Sequence, residues 1–222
     1  MSLGKSKLDS FISYLSIFFP VALVIGPAIA DVNLVLISIT CLIIFFYYKI
    51  LPFDKKILII LISANTYFIF CSLISNDILF SLESSLFYFR FSIFIIAIFY
   101  ILKSNKNFII YFTYVIFFLT FFVSLDGIIQ FFFSYSFINL FIENNYSTTG
   151  RISGVFADEY ILGSYLVRSL PLVMGLLIFL KERIKISKFV ILIYLLSVSS
   201  AIFISGERTA IFMLLFIFIL SF

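Results

Sequence analysis

The chain of 222 residues is 64% hydrophobic, 21% aromatic and only 12% charged, with a mean hydropathy of +1.25 and a formal net charge of +4. That much apolar surface exceeds what one soluble core can hide, which excludes an ordinary soluble domain and makes lipid the solvent of the fold. The positive balance comes from loop lysines, which serve topology and contact with anionic membrane lipid and give no argument for nucleic acid.

Apolar stretches recur near the ~20 residues that a helix needs to cross a ~30 Å hydrocarbon layer. Residues 41–46 and 117–122 are apolar almost all round, which excludes the alternation of a transmembrane β-barrel. In chain order the sequence predicts helices over 10–30, 32–50, 57–75, 86–102, 108–134, 159–180, 188–205 and 209–222. This is an all-α membrane protein, one transmembrane helical domain over 1–222 with about eight spans. Breaks are expected at Asp31-Val32-Asn33, Leu51-Pro52-Phe53-Asp54-Lys55-Lys56, Asn76-Asp77, 103–107, 181–188 and Gly206-Glu207-Arg208, with a long outer loop over 135–158. Lys5 and Lys7 precede the first run, but no small-x-small cleavage pattern and soluble domain follow it, so it reads as a permanent helix. Phe222 falls inside an apolar run, and the chain reads as an N-terminal part of a longer bundle.

Orientation follows from the basic residues, which are retained on the cytoplasmic side when they lie in short loops. Lys5, Lys7, Lys49, Lys55, Lys56, Lys103, Lys106, Lys181, Arg183, Lys185 and Lys188 all fall in alternate loops, whereas the opposite loops carry mostly acids. The N-terminus is therefore expected in the cytoplasm. All ten lysines lie on that side, but four of the five arginines, Arg90, Arg151, Arg168 and Arg208, lie outside or in the outer half of the membrane. A guanidinium stays charged at low dielectric and grips phosphate or carboxylate with a planar fork, which an ammonium cannot do. An anionic ligand on the outer face explains the choice. Arg90 near a helix start and Arg208 beside Glu207 equally suit snorkelling or pairing, while Arg168, three residues before Pro171 within a span, must face protein or water.

The outer segment 143–160 is the most polar part of the chain. Gly150 and Gly154 flank Arg151 with little bulk and permit turns that bring amides near a ligand. Ser153, Asp158 and Glu159 stand where the next helix begins, a position at which caps and acids are favoured. The string Arg151-Ile152-Ser153-Gly154-Val155-Phe156-Ala157-Asp158-Glu159-Tyr160, followed by Pro171, resembles the arginine-glycine segment of the O-antigen ligase and O-antigen polymerase family of bacterial membrane glycosyltransferases. Ser205-Gly206-Glu207-Arg208-Thr209-Ala210 resembles that family's second signature. Asp126-Gly127-Ile128-Ile129-Gln130 is similar to the stretch that ends the helix before its outer loop. The likeness is loose over most of the chain and closer over 126–210.

The resemblance implies an enzyme of the inner membrane with a periplasmic active face. It would transfer or polymerise a glycan from an undecaprenyl-pyrophosphate donor onto a lipid A core or a lipid-linked glycan, with no metal and no cofactor. Arg151 and Arg208 would hold the pyrophosphate, Arg168 and Arg90 would assist on the same anion or the acceptor, and Asp126 and Gln130 would bind sugar hydroxyls. Asp126 equally suits an interfacial acid paired with an arginine. The chain departs from the family in lacking any histidine. The general base, which contributes about 10²–10⁴-fold, is expected beyond residue 222, and the chain alone is expected to be inactive.

No Walker-type loop, metal-ligand cluster or nucleophile elbow stands in the sequence, and Cys41 and Cys71 read as small apolar fillers within spans. Two rival readings remain. A lipid or anionic-solute transporter also uses arginines at an anion site, and is expected to show paired broken helices in two halves. A non-catalytic assembly partner is expected to show small-xxx-small helix faces.

Overall fold

A computed structural model describes residues 2–48, 55–133, 151–157 and 159–221. Among them stand nine α-helices, one 3-10 turn and no strand, as an all-α membrane protein requires. They are α1 (Ser2–Ile25), α2 (Pro27–Tyr48), α3 (Lys55–Leu73), α4 (Ile78–Phe87), α5 (Phe89–Ser104), α6 (Phe108–Phe133), the turn Gly154–Phe156, α7 (Leu162–Phe179), α8 (Lys188–Ile204) and α9 (Arg208–Ser221). Six stretches are long and apolar enough to cross a bilayer: α1 from Ser6, α2, α3 from Lys56, α4 with α5, α6, and α7. α8 and α9 are shorter apolar helices. Most of the expected loop over 135–158, the Leu51–Asp54 break and Asp158 lie outside the described residues.

Two boundaries differ from the sequence expectation. The first break falls at Gly26, not at Asp31-Val32-Asn33. Gly26 adopts φ 156 and Pro27 opens α2, the first-turn position where its missing N–H costs nothing and its fixed φ suits the helix. Asp31 and Asn33 therefore lie inside α2. The helix expected at 86–102 starts earlier, at Ile78, because Tyr88 is itself in the αR region and joins α4 to α5. α4 carries Ser84 and Ser85. They fit a helix because their hydroxyls bond back to its carbonyls: Ser84 to Phe80 at 3.2 Å and Ser85 to Leu82 at 3.0 Å.

The chain clusters into two compact units, Met1–Ala22 with Pro27–Ile109, and Leu23–Gly26 with Ile110–Phe222. In the first, α1 meets α5 through Phe19 and Phe94, 4.8 Å between ring centroids, and through the Tyr100 hydroxyl, which donates to Asp9 Oδ1 at 2.6 Å. α2 packs on α5 and α3 on α4. Polar side chains join these helices, as they must where lipid offers no water: Asn65 of α3 donates to Ser92 Oγ of α5 at 2.6 Å, and Ser72 of α3 to the Ser81 carbonyl of α4 at 3.1 Å.

In the second unit, α6 and α8 meet around Tyr194, which is fully buried. Its ring stacks on Phe117 at 4.6 Å and its hydroxyl lies 3.0 Å from Thr120 Oγ1. One helical turn further along, Ser124 donates to Ser197 Oγ at 3.3 Å. α7 packs against both α8 and α9, burying Gly163, Leu166, Val167, Leu170, Val173 and Leu177. That 3.6-residue stripe leaves the opposite face of α7 outward.

Candidate anion-binding site

At one end of the second unit, four pieces of chain converge: the last turns of α6, the segment 151–156, the start of α7 and the turn between α8 and α9. α8 closes where Ser205 N–H bonds to the Ala201 carbonyl at 2.9 Å, and Gly206 then takes φ 72, the left-handed conformation that ends many helices at little cost to glycine. Glu207 follows, and Arg208 opens α9.

Glu207 reaches across to α7. Its Oε1 accepts from Gly163 N–H at 2.9 Å and its Oε2 from Ser164 N–H at 3.0 Å. These amides belong to the first turn of α7, whose first internal bond is made by Tyr165 N–H to the Ile161 carbonyl. First-turn amides have no partner within a helix and carry its positive dipole end, so a carboxylate is a strong cap for them. The sequence reading gave that capping to Asp158 and Glu159. Instead Ile161 holds the N-cap position without a side-chain bond, Glu159 is exposed, and the acid comes from the next hairpin.

So close an approach needs small residues. A Cβ on Gly163 would collide with Ser205 Oγ and stand only 3.1 Å from Ala210 Cβ. Gly163, Ser205 and Ala210 are all buried.

The segment 151–156 is laid on the same end by α6. Asp126 and Gln130 are four residues apart and share one face of that helix. Gln130 Oε1 accepts from Gly154 N–H at 2.6 Å, and Gly154 turns with φ 58. A Cβ there would lie 3.3 Å from both Asp126 Oδ2 and Leu162 Cδ1. Asp126 is fully buried beneath this turn. Gln130 thus holds the backbone of the segment, and Asp126 lies beneath it. Phe156 adds a ring contact to Tyr165 of α7, 5.3 Å between centroids.

Ile152, Ser153, Gly154 and Val155 are buried, whereas Arg151 stays exposed. Its stem runs beside the hairpin, because a Cβ built on Gly206 would lie 3.7 Å from Arg151 Cγ. Arg208, also exposed, is two residues further on. With Cα atoms ~3.8 Å apart along the chain, Arg208 Cα lies within ~13 Å of Arg151 Cγ. That separation is within what two arginine side chains and a pyrophosphate-sized anion between them can span, and neither guanidinium makes an ion pair among the described residues.

The other two candidate arginines stand on other elements. Arg168 is exposed but lies five residues beyond Gly163, ~140° around α7 from the side that meets Ser205 and Ala210. Arg90 belongs to the first unit. There it pairs with Asp31 at 3.1 Å and stacks beside the Phe91 ring at 5.2 Å, so its charge is met by its own helix partner.

Glu207, Gly163 and Ser205 are the site residues that sequence reasoning missed. The only hint was an acid directly before a cation at the mouth of a helix, which reads as a local pair. Among the described residues no group of three or more His, Cys, Asp or Glu side chains could hold a metal ion. Comparison with protein-family models, with curated proteins and with solved structures found no match to this chain.

Proposed function

We propose that this protein transfers or polymerises a glycan at the periplasmic face of the bacterial inner membrane. The donor is an undecaprenyl-pyrophosphate-linked glycan and the acceptor a lipid A core or a second lipid-linked glycan, as in O-antigen ligases and polymerases. The observation that carries the reading is the juxtaposition of Arg151 and Arg208 on one exposed surface, each without an acidic partner among the described residues. Arg208 also stands at the first position of α9, where the helix dipole opposes a cation by roughly 0.3–1 kcal/mol. A charge kept at such a place serves something other than the helix.

In the proposed step the bond between the sugar anomeric carbon and the pyrophosphate oxygen breaks while the acceptor hydroxyl attacks that carbon. The acceptor proton passes to a base, and negative charge builds on the departing lipid pyrophosphate. Two fixed guanidinium groups stabilise that charge without a metal. Their supports are Gln130 beneath the Arg151 segment and the Gly206 turn before Arg208.

The test is glycan transfer in cells carrying the full-length gene with Arg151→Lys or Arg208→Lys, at matched membrane levels and scored as lipopolysaccharide or polymer ladders. Loss of the ladder in both variants is expected, because lysine keeps the charge but not the fork. Ladders unchanged in both would remove this site and favour a transport or assembly role instead.

A further inference from the structure

We infer that Glu207 is the positioning residue of this surface: by clamping the α8–α9 turn to the first amides of α7, it sets Arg208 against Arg151 and forms an ion pair with neither. The inference rests on the anion-binding reading above and deepens it.

Glu207 is the nearest acid to Arg208 in sequence and lies next to Gly206, on which the Arg151 stem rests. An exposed carboxylate there would neutralise one guanidinium or the other. Both of its oxygens are instead spent on Gly163 and Ser164 N–H, at 2.9 and 3.0 Å. The two bonds fix the carboxylate plane and so the direction in which the chain leaves toward Arg208. Gly206 at φ 72 supplies the reversal that aims Glu207 back at α7. The bare Cα of Gly163 lets Ser205 and Ala210 close on the helix. Nothing in this geometry asks Glu207 to touch a substrate.

A positioning role and a purely electrostatic one predict opposite signs. Glu207→Gln removes a negative charge from beside the anion site, so electrostatics alone would tighten anion binding. A glutamine has one acceptor oxygen for two N–H groups, and its NH2 faces the other donor. The clamp then opens and the two guanidinium groups lose their mutual register.

The experiment measures binding of inorganic pyrophosphate to the purified chain in detergent micelles by titration calorimetry, with thermal unfolding recorded alongside. Wild type is compared with Arg208→Ala, Glu207→Gln, and Glu207→Gln combined with Ile161→Asp. Ile161 holds the N-cap position of α7, so an aspartate there caps the same second and third amides locally and restores the negative charge, without tying α7 to the hairpin. Glu207→Gln is expected to weaken pyrophosphate binding about tenfold, the equivalent of ~1.4 kcal/mol. The double variant is expected to regain thermal stability while its affinity stays low.

Unchanged or tighter binding by Glu207→Gln overturns the inference, as does recovery of affinity in the double variant, which would make Glu207 a cap and nothing more. Failure of Arg208→Ala to weaken binding would instead sink the anion-binding reading itself.

Discussion

Gly163→Ala tests the closeness on which the site depends. The added methyl would overlap Ser205 Oγ and sit 3.1 Å from Ala210 Cβ and 3.2 Å from Ser205 Cβ, inside the 3.5–4.0 Å at which carbon contacts are favourable. Ser205 and Ala210 are each 1% exposed, so neither can swing aside, and α7 must retreat from the hairpin. Overpacking of this kind costs about 1–3 kcal/mol. A retreat of ~1 Å also stretches the Glu207 bonds from 2.9 and 3.0 Å past hydrogen-bond range, removing a cap worth about 1–2 kcal/mol. Against this, alanine is the better helix former by ~1 kcal/mol. The net destabilisation is about 1–4 kcal/mol, which lowers the unfolding temperature by roughly 2–16 °C at this chain length. Thermal unfolding in detergent, followed by circular dichroism, measures it. Ser205→Gly in the same background should recover part of the loss. Gly175→Ala, on the same helix but with nothing within 4 Å of its new Cβ, should be neutral or stabilising. A Gly163→Ala protein that melts with wild type, or no better separated from it than the Gly175 control, would refute the close approach.

In the α6–α8 core, Tyr194→Phe should cost only about 0.5–1.5 kcal/mol, because Thr120 keeps its bond to the Ile116 carbonyl at 2.7 Å. Tyr194→Ala should cost about 3–5 kcal/mol by leaving a cavity against Phe117; equal losses for the two would contradict the stacking. A double-mutant cycle on Arg90→Ala and Asp31→Ala should give a coupling of only about 0.5–1 kcal/mol, since the two side chains are 27% and 53% exposed. Gln130→Ala should free Gly154 N–H and loosen the segment above α6, so trypsin should cut after Arg151 several times faster than in wild type. Cleavage at the wild-type rate would show that Gln130 does not hold it.

Most helices were legible because each is an unbroken apolar run with a polar end. The expected 108–134 and 188–205 differ from Phe108–Phe133 and Lys188–Ile204 by a single residue. The Gly26-Pro27 break was missed because a span of ordinary length could be drawn straight through it, and Asp31 made the better-looking boundary. Asp31 tolerates a place in α2 because Arg90, 59 residues away, meets its charge, a contact that periodicity cannot reveal. The site was legible in its cations and illegible in its support. Arg151 and Arg208 stand out by residue type. By contrast, the roles of Glu207 and Gln130 depend on which helices meet, and no local spacing carries that.

The capping of α7 by a distant acid has a consequence for how the protein is made. Glu207 lies 44 residues after Gly163, and at ~5–20 residues per second it is synthesised about 2–9 s later. During that interval α7 can enter the bilayer, but its leading amides have only water or headgroup oxygens as partners. They acquire their carboxylate when the following hairpin arrives. This end of the unit is therefore completed only when the hairpin is made, by the same strokes of synthesis that deliver Arg208.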